Sequence, residues 1–294
     1  MNQRLPVIVL VGASLMWGTM WWPLKQINAL GVEGVPLTFG AFGAVTLLLL
    51  PMLLSQRRRW AGEGRYLLLI ALLGGYANIA FTCAMVYGEV VRVMVLFYLL
   101  PVWGVLGGWL FLGERIDRVR ALGVALALGG AFLILGGFKS FAGRISWPDL
   151  LAVTCGMAFA GNNLVFRARQ ALPVSSKVAA MLIGCFAIAA PLTLAGIQPW
   201  PQVEPLSWVW VAVYGLGWMM IATIGTQWAV THMEAGRASI LIILELVTAV
   251  VTATIIGGER MSTIEWLGGG LIVAAALLEA WRDESESPTA APAG

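Results

Sequence analysis

The sequence predicts an all-α integral membrane protein, with ten transmembrane helices arranged as two inverted five-helix repeats. Of its 294 residues, 60% are hydrophobic and only 11% are charged, and the mean hydropathy is +0.86. Soluble domains have about 25% charged residues, so this chain has too few polar side chains to cover a water-soluble fold. Ten apolar runs and an internal repeat supply the rest of the prediction.

Each apolar run has roughly the 20 residues that a helix needs to cross the hydrocarbon core. Proline, glycine or charged residues mark the ends of the runs. The predicted spans are 5–27, 36–54, 65–87, 91–111, 118–138, 148–168, 174–196, 206–231, 237–257 and 261–281. The clearest boundary lies at residues 198–202, because Pro199 and Pro201 oppose continuation of a helix. The polar residues 282–294 are predicted to form a disordered tail.

The placement of lysine and arginine predicts the orientation in the membrane. Thirteen of these residues fall at the two termini and in every second loop: Arg4, Arg57, Arg58, Arg59, Arg65, Arg115, Arg118, Arg120, Arg167, Arg169, Lys177, Arg237 and Arg282. Five fall on the other side: Lys25, Arg92, Lys139, Arg144 and Arg260. Cytoplasmic loops carry an excess of lysine and arginine, so both termini are expected in the cytoplasm.

The two halves of the chain are related by an internal repeat. Residues 84–123 align with 229–268 at a shift of 145 positions, with 12 identities in 40. A shift of 142 positions similarly aligns residues 17–25 with 159–167. Each copy holds five spans, and because five is odd the second copy enters the membrane from the opposite side. The predicted domains are 1–147, 148–281 and the tail 282–294.

Short motifs follow one another in a fixed order along the two halves. They are Ser14-x-x-Trp17-Gly18 with Lys25 in the first span, Leu99-Leu100-Pro101 in the fourth, Gly113-Glu114 after it, Leu244-Glu245 in the ninth and Gly258-Glu259 after that. With these motifs the chain resembles the drug/metabolite transporter superfamily, specifically its ten-helix exporters made of two EamA-type repeats. The stretch from Val95 to Pro101, with Tyr98, is similar to the YddG-like branch of aromatic amino-acid exporters.

Two positions depart from the family pattern. Leu246 follows Glu245, where the family often has proline, which leaves a kink in the ninth span without its usual cause. Phe159-Ala160 stands in the second repeat where the first has Trp17-Gly18, so the aromatic ring is kept and the indole donor is lost. The two halves are therefore not expected to bind a substrate equivalently.

The resemblance implies a secondary transporter in a bacterial-type inner membrane. It would export small amphipathic metabolites, with aromatic amino acids as the expected cargo, by alternating access around a central cavity. A broad drug exporter or a nucleotide-sugar transporter of the same superfamily is the alternative. The chain has no Walker-type phosphate loop. The expected partners are a small-molecule substrate and the lipid bilayer, with no cofactor, metal or nucleic acid, and the oligomeric state is left open.

An intramembrane enzyme is the competing class of protein. The chain has one histidine and neither a His-Glu-x-x-His nor a Gly-x-Ser-x-Gly motif. Its three aspartates, Asp117, Asp149 and Asp283, lie in predicted loops or in the tail. The three cysteines lie in apolar segments and are odd in number, so neither a disulfide framework nor a metal cluster is indicated. The sequence therefore favours transport over catalysis.

Aromatic and polar residues inside the spans are the candidates for substrate binding. Trp17 and Trp21 are four residues apart and share a helix face, where they either line a cavity or pack against other helices. Glu245 lies deep in the ninth span, where a carboxylate binds an ammonium group, exchanges a proton or locks helices together. The predicted substrate-binding residues are Trp17, Trp21, Asn78, Tyr98, Phe159, Asn162, Asn163, Gln227 and Glu245.

Two further features suggest moving parts. Pro101 interrupts helical hydrogen bonding and predicts a kink in the fourth span, one turn after Tyr98. Glu89 with Arg92, and Glu234 with Arg237, have the i,i+3 spacing of local ion pairs at repeat-related positions. They are interpreted either as a gate or as ordinary structural pairs at helix ends.

Overall fold

The structure, a computed structural model, describes residues 4–88, 90–138, 145–256 and 262–281, and over these ranges it contains helices and no strand. Nine helical stretches in these ranges are long and apolar enough to cross a membrane: Arg4–Ala29, Gly34–Ser55, Gly64–Met85, Arg92–Leu112, Trp147–Ala168, Val174–Leu194, Pro205–His232, Ala235–Ile255 and Thr263–Trp281. The remaining predicted span, the fifth in chain order, is the 17-residue helix Arg118–Ile134. The predicted fold class is confirmed, whereas the predicted tail lies outside the described residues.

Several spans are built from more than one helix. In chain order the helices are α1 (Arg4–Gly18), α2 (Trp21–Ala29), α3 (Gly34–Ser55), α4 (Arg57–Trp60), α5 (Gly64–Tyr87), α6 (Val90–Phe97), α7 (Leu100–Leu112), α8 (Arg118–Ile134), α9 (Trp147–Ala168), α10 (Val174–Leu194), α11 (Pro205–Val213), α12 (Met220–His232), α13 (Ala235–Ile242), α14 (Leu244–Ile255) and α15 (Thr263–Trp281). A π-helical segment, Tyr214–Met219, joins α11 to α12. The first, fourth, eighth and ninth spans are therefore interrupted.

The interruptions of the fourth and ninth spans occupy repeat-related positions. Shifted by 145 positions, the bounds of α6 coincide with those of α13. The fourth span breaks at Tyr98 and Leu99, just before the Leu100-Pro101 pair that opens α7. Pro101 has no N–H to donate to the carbonyl four residues earlier, at Phe97, so the helical hydrogen bonding is interrupted there. The ninth span breaks at Ile243 without a proline, and there the Leu246 N–H donates to the Ile243 carbonyl over 2.9 Å. The break thus does not require the proline that the family often has.

Helix packing follows the same symmetry. The fifth spans of the two repeats, α8 and α15, pack along each other, and so do the second spans, α3 and α10. The contact of α5 with α9 has its counterpart in the contact of α12 with α1, and the contact of α7 with α9 has its counterpart in that of α14 with α1. Exchanging the halves therefore maps these contacts onto one another, as expected for an inverted repeat.

Three contacts near the ends of the spans join segments that the charge pattern assigns to the same side. At the face that holds most of the basic residues, called the basic face, the Ser176 hydroxyl contacts Gln56 Oε1 at 2.5 Å and the Ala235 N–H donates to Glu114 Oε1 over 2.7 Å. At the opposite face the Val35 N–H donates to Gln198 Oε1 over 2.6 Å. In each of these three contacts both partners come from the same predicted side.

Candidate functional site

A closed chain of contacts links five transmembrane elements inside the bundle. It runs through α1, α12, α9, the break between α6 and α7, and α14. We call it the midspan ring, and it consists of Trp17, Gly18, Phe97, Tyr98, Phe159, Asn163, Thr226, Gln227 and Glu245. Both repeats contribute residues to the midspan ring. Transporters built from inverted repeats bind their ligands at the interface between the repeats.

One side of the midspan ring is aromatic and ends at a carboxylate. The rings of Phe97 and Phe159 are centred 6.3 Å apart, and those of Phe97 and Tyr98 are 5.3 Å apart. The Tyr98 hydroxyl donates to Glu245 Oε1 over 3.1 Å. Tyr98 lies in the break of the fourth span, and Glu245 is the second residue of α14, just after the break at Ile243. The two broken spans therefore carry the carboxylate and its donor.

The other side of the midspan ring is a buried cluster of amides. Gln227 Nε2 donates to Asn163 Oδ1 over 3.2 Å, and Asn162 Nδ2 donates to the same oxygen over 3.3 Å. Asn162 is 0% exposed, and its Oδ1 meets no hydrogen-bond donor among the described residues. A buried polar atom without a partner costs free energy, so this oxygen is available to accept a hydrogen bond.

The first span is fastened to the second repeat by indole hydrogen bonds. Trp17 Nε1 donates to Thr226 Oγ1 over 3.1 Å, and Trp21 Nε1 donates to Thr252 Oγ1 over 2.9 Å. Gly18 of α1 lies directly against α14, where a side-chain carbon would come within 2.5 Å of the Glu245 backbone oxygen. Glycine therefore allows α1 to approach α14 at the level of Glu245.

The π-helical segment of the eighth span supplies a third indole. Trp218 Nε1 donates to the Met16 carbonyl over 2.9 Å, next to Trp17 in α1. The segment lies against the second span, where a side-chain carbon on Gly215 would meet the Ala41 carbonyl oxygen at 2.5 Å. Short π-helical insertions occur frequently at functional sites.

Two of the predicted site residues lie apart from the midspan ring. Asn78 Nδ2 contacts the Gly74 carbonyl of its own helix at 3.5 Å. Pro101 is the second residue of α7 and is buried, three residues after Tyr98. Asn162 and Trp21 instead contact the ring or the helices that form it, through Asn163 and through Thr252 of α14.

A cluster of charged side chains joins four segments at the basic face. We call it the Arg120 cluster, and it consists of Glu114, Arg120, Glu234 and Glu279. Arg120 is 1% exposed, and its Nη2 contacts Glu234 and lies 3.0 Å from Glu279 Oε1. Its Nη1 lies 3.6 Å from Glu114 Oε2. One guanidinium thereby ties the loop before α8, the start of α13 and the end of α15 to α8 itself.

Glu114 also closes the N-terminus of α13. It accepts hydrogen bonds from the Ala235 and Gly236 N–H groups over 2.7 and 3.1 Å. Burial raises the pKa of the Glu114 carboxyl, while these two bonds and Arg120 act in the opposite direction. A carboxylate at a helix N-terminus interacts favourably with the helix dipole. Glu114 therefore stabilises α13, the first helix of the ninth span.

The residues predicted as gate pairs have partners on other elements. Arg92 Nε lies 2.8 Å from Asp149 Oδ1, at the start of α9 on the opposite face. Glu234 contacts Arg120, and Arg237 Nη2 donates to the Ala280 carbonyl over 2.8 Å. Glu89 lies outside the described residues. Arg92, Glu234 and Arg237 therefore connect separate helices at the two faces.

The two halves of the ninth span differ in burial. All eight residues of α13 are buried. In α14, which continues the span toward the opposite face, Leu246 is the buried residue. The bundle is therefore packed more tightly around α13, on the side of the Arg120 cluster, than around α14.

Comparison with known proteins identifies the family. The sequence profile of the EamA-like transporter family matches residues 4–136 and 146–280, one match for each repeat. The chain belongs to the EamA-like transporter family. One solved crystal structure of another protein is similar to this chain, with a TM-score of 0.73 and 20% sequence identity. The similarity covers 93% of this chain and 96% of the other. At this identity the likeness supports the fold alone. The search of curated proteins gave no match.

Several residues of the site were not among those predicted from the sequence. Arg120 was counted as a loop charge, although it is buried in the first turn of α8. Thr226 and Thr252 gave no signal, because threonine is common in apolar spans. Trp218 lies near Gly215 and Gly217, and this pair of glycines beside an aromatic residue is the sequence feature that accompanies the π-helical segment.

Proposed function

We propose that this EamA-like protein is a secondary transporter whose substrate binds at the midspan ring, and that its cargo is an aromatic amino acid or a closely similar amphipathic metabolite. The observation that carries the proposal is the Tyr98–Glu245 contact beside the aromatic side of the ring. A substrate ammonium group pairs with a carboxylate, and its apolar ring packs on aromatic side chains. The buried amides supply polar contacts for the rest of the head group.

The direction of access is inferred from the packing around the ninth span. The Arg120 cluster and the buried α13 close the bundle at the basic face, whereas α14 is less tightly packed toward the opposite face. Alternating access then requires the Arg120 cluster to separate when the site opens toward the basic face. With the basic face in the cytoplasm of an inner membrane, the gradients of cargo and of any coupled ion set whether this cycle exports its cargo.

The orientation is tested by labelling the two termini. With 13 basic residues on one side and five on the other, both termini are expected in the cytoplasm. A cysteine placed at either terminus of a variant without native cysteines should react with an impermeant maleimide only after the cells are opened. A cysteine replacing Ser146, on the opposite face, is the positive control. Labelling of a terminus in intact cells contradicts the orientation.

Replacing both tryptophans of the first span tests recognition of the aromatic ring. Trp17→Ala and Trp21→Ala are each expected to lower transport of phenylalanine by about threefold to tenfold relative to alanine or serine, because an aromatic contact contributes about 0.5–1.5 kcal/mol beyond burial. Uptake into proteoliposomes, at matched protein incorporation, measures the ratio. Trp266→Ala, an exposed residue of α15, is the matched control. Equal losses for all substrates would favour general packing.

A broader range of apolar cargo is the second candidate. An apolar groove of about 310 Å³, only partly enclosed, borders Tyr98 on the side of α8, between Val95, Leu99, Leu128 and Phe132. Its volume is at the lower end of the range of small-ligand pockets. A flux panel of aromatic amino acids, lipophilic cationic drugs and nucleotide sugars distinguishes the cases, and transport of drugs without transport of amino acids would overturn the proposed cargo.

A further inference from the structure

The two tryptophans of the first span are each held by a threonine hydroxyl of the second repeat. Trp17 donates to Thr226 over 3.1 Å and Trp21 donates to Thr252 over 2.9 Å. Each hydroxyl in turn donates to a carbonyl one turn earlier in its own helix, over 2.9 and 2.8 Å. The hydroxyls therefore accept and donate at once, which a hydroxyl group is able to do.

This arrangement fixes what the tryptophans present to a ligand. An indole has a single donor, its Nε1–H, and in Trp17 and Trp21 the protein already occupies that donor. What remains for a ligand is the face and edge of each ring. The threonines also fix the ring orientation, because rotation of the side chain would break a hydrogen bond in a partly buried position.

The repeat indicates that the hydrogen bond between Trp17 and Thr226 is not required to pack this part of the fold. The positions equivalent to Trp17 and Thr226 in the other half are Phe159 and Phe81. Both pack on Phe97, with ring centres 6.3 and 5.1 Å away. The same junction is thus apolar in one half and hydrogen-bonded in the other, so the threonine in the second half serves a purpose that packing alone does not demand.

We propose that Thr226 and Thr252 are positioning residues that set the aromatic selectivity of the transporter. They act through Trp17 and Trp21. Each threonine orients an indole ring so that its face contacts the substrate ring, and it occupies the indole N–H, which then cannot bind the substrate. The inference rests on the proposed aromatic cargo. It further implies that substituents on the substrate ring contribute little, since a surface of ring faces does not strongly reject an added hydroxyl group.

The test removes the hydroxyl groups and keeps the shape of the side chain. In Thr226→Val and Thr252→Val the preference for phenylalanine over alanine should fall by about threefold to tenfold, the value of an oriented aromatic contact. The loss should appear as a higher KM for phenylalanine with little change in maximal rate. Thr252→Ser, which keeps the hydroxyl, should restore the preference. Competition assays in proteoliposomes measure each ratio.

A matched control and a double variant make the result specific. Thr254 is in the same helix as Thr252 and donates to its own helix in the same way, over 3.0 Å, so Thr254→Val should leave the preference unchanged. Thr252→Val combined with Trp21→Phe should be no worse than Trp21→Phe alone, because both remove one hydrogen bond.

The two proposals fail in different ways. If the wild-type protein shows no preference for aromatic substrates, the proposed cargo is wrong. If the wild type has that preference and the two valine variants, stably inserted, keep it, the positioning role of the threonines is wrong while the cargo stands. A fall in preference that serine does not restore also overturns the positioning role.

Discussion

Arg120→Ala is expected to be the most destabilising single substitution at the basic face. It should lower the free energy of unfolding by about 3–5 kcal/mol. The side chain is 1% exposed, and its guanidinium contacts Glu114, Glu234 and Glu279. Removing one partner of a buried ion cluster leaves the remaining charges buried without it, which costs more than the pair had contributed. Thermal unfolding of purified protein in detergent, together with the yield of folded protein, measures the effect.

The control for Arg120 is its neighbour in the same turn. Arg118 is exposed at the start of α8. The free energy of unfolding of Arg118→Ala should therefore stay within about 0.5 kcal/mol of the wild-type value, as for most surface substitutions. Arg120→Lys keeps the charge and loses the planar fork that reaches several carboxylates, and it should fall between the two. An Arg120→Ala variant as stable as Arg118→Ala would show that the cluster is not a structural tie.

A milder substitution distinguishes the stabilising role of the Arg120 cluster from its proposed role in closing the basic face. If the Arg120 cluster holds the basic face closed, Glu114→Gln should weaken it while keeping one of the two hydrogen bonds that cap α13. The amide oxygen still accepts from the Ala235 N–H, whereas the amide NH2 cannot accept from the Gly236 N–H. The site would then open more often toward the basic face. Cysteine accessibility of the midspan ring from that face should rise.

The sequence was sufficient to predict the spans and their symmetry. A run of about 20 apolar residues has few alternatives to a membrane-spanning helix, and the shift of 145 positions predicts the equivalence of α6 with α13 that the structure has. The break at Ile243 was harder to predict, since no proline accompanies it and it depends on the tertiary environment of the span. For the π-helical segment Tyr214–Met219 the local sequence offers only the glycine pair Gly215 and Gly217, which many ordinary membrane helices also tolerate.

The candidate site was predictable by residue type and not by partner. A carboxylate within an apolar span is conspicuous because of its cost, and so Glu245 could be selected, whereas its donor Tyr98 is 147 positions away. Arg120 and Glu279 lie near the ends of their helices, where charged residues are normally solvated, and only packing shows that they are buried. Long-range pairing of this kind is set by the folded geometry.

Glu245→Gln is expected to abolish pH-driven accumulation of substrate, if this carboxylate carries the coupled proton. Substrate exchange should persist at saturating substrate but with a higher KM, because the neutral amide no longer pairs with the substrate ammonium group. Glutamine keeps the size of the side chain and still accepts the Tyr98 hydrogen bond, which in the wild type spans 3.1 Å. It removes only the group that binds and releases a proton. A carboxylate at this depth is costly unless it is paired or has such a function.

Tyr98→Phe provides the matched comparison, because it removes the hydrogen bond and keeps the carboxylate. If Glu245 exchanges a proton, Tyr98→Phe should retain the ratio of pH-driven accumulation to exchange, even where its affinity falls, and Glu245→Gln should lose that ratio. If the Tyr98–Glu245 contact only locks the two broken helices together, the order reverses: Tyr98→Phe destabilises the protein and Glu245→Gln does not. Accumulation and counterflow in proteoliposomes with an imposed pH gradient, measured beside thermal stability, separate the two roles. Undiminished pH-driven accumulation by a correctly inserted Glu245→Gln variant excludes the coupling role, because no proton then passes through this position.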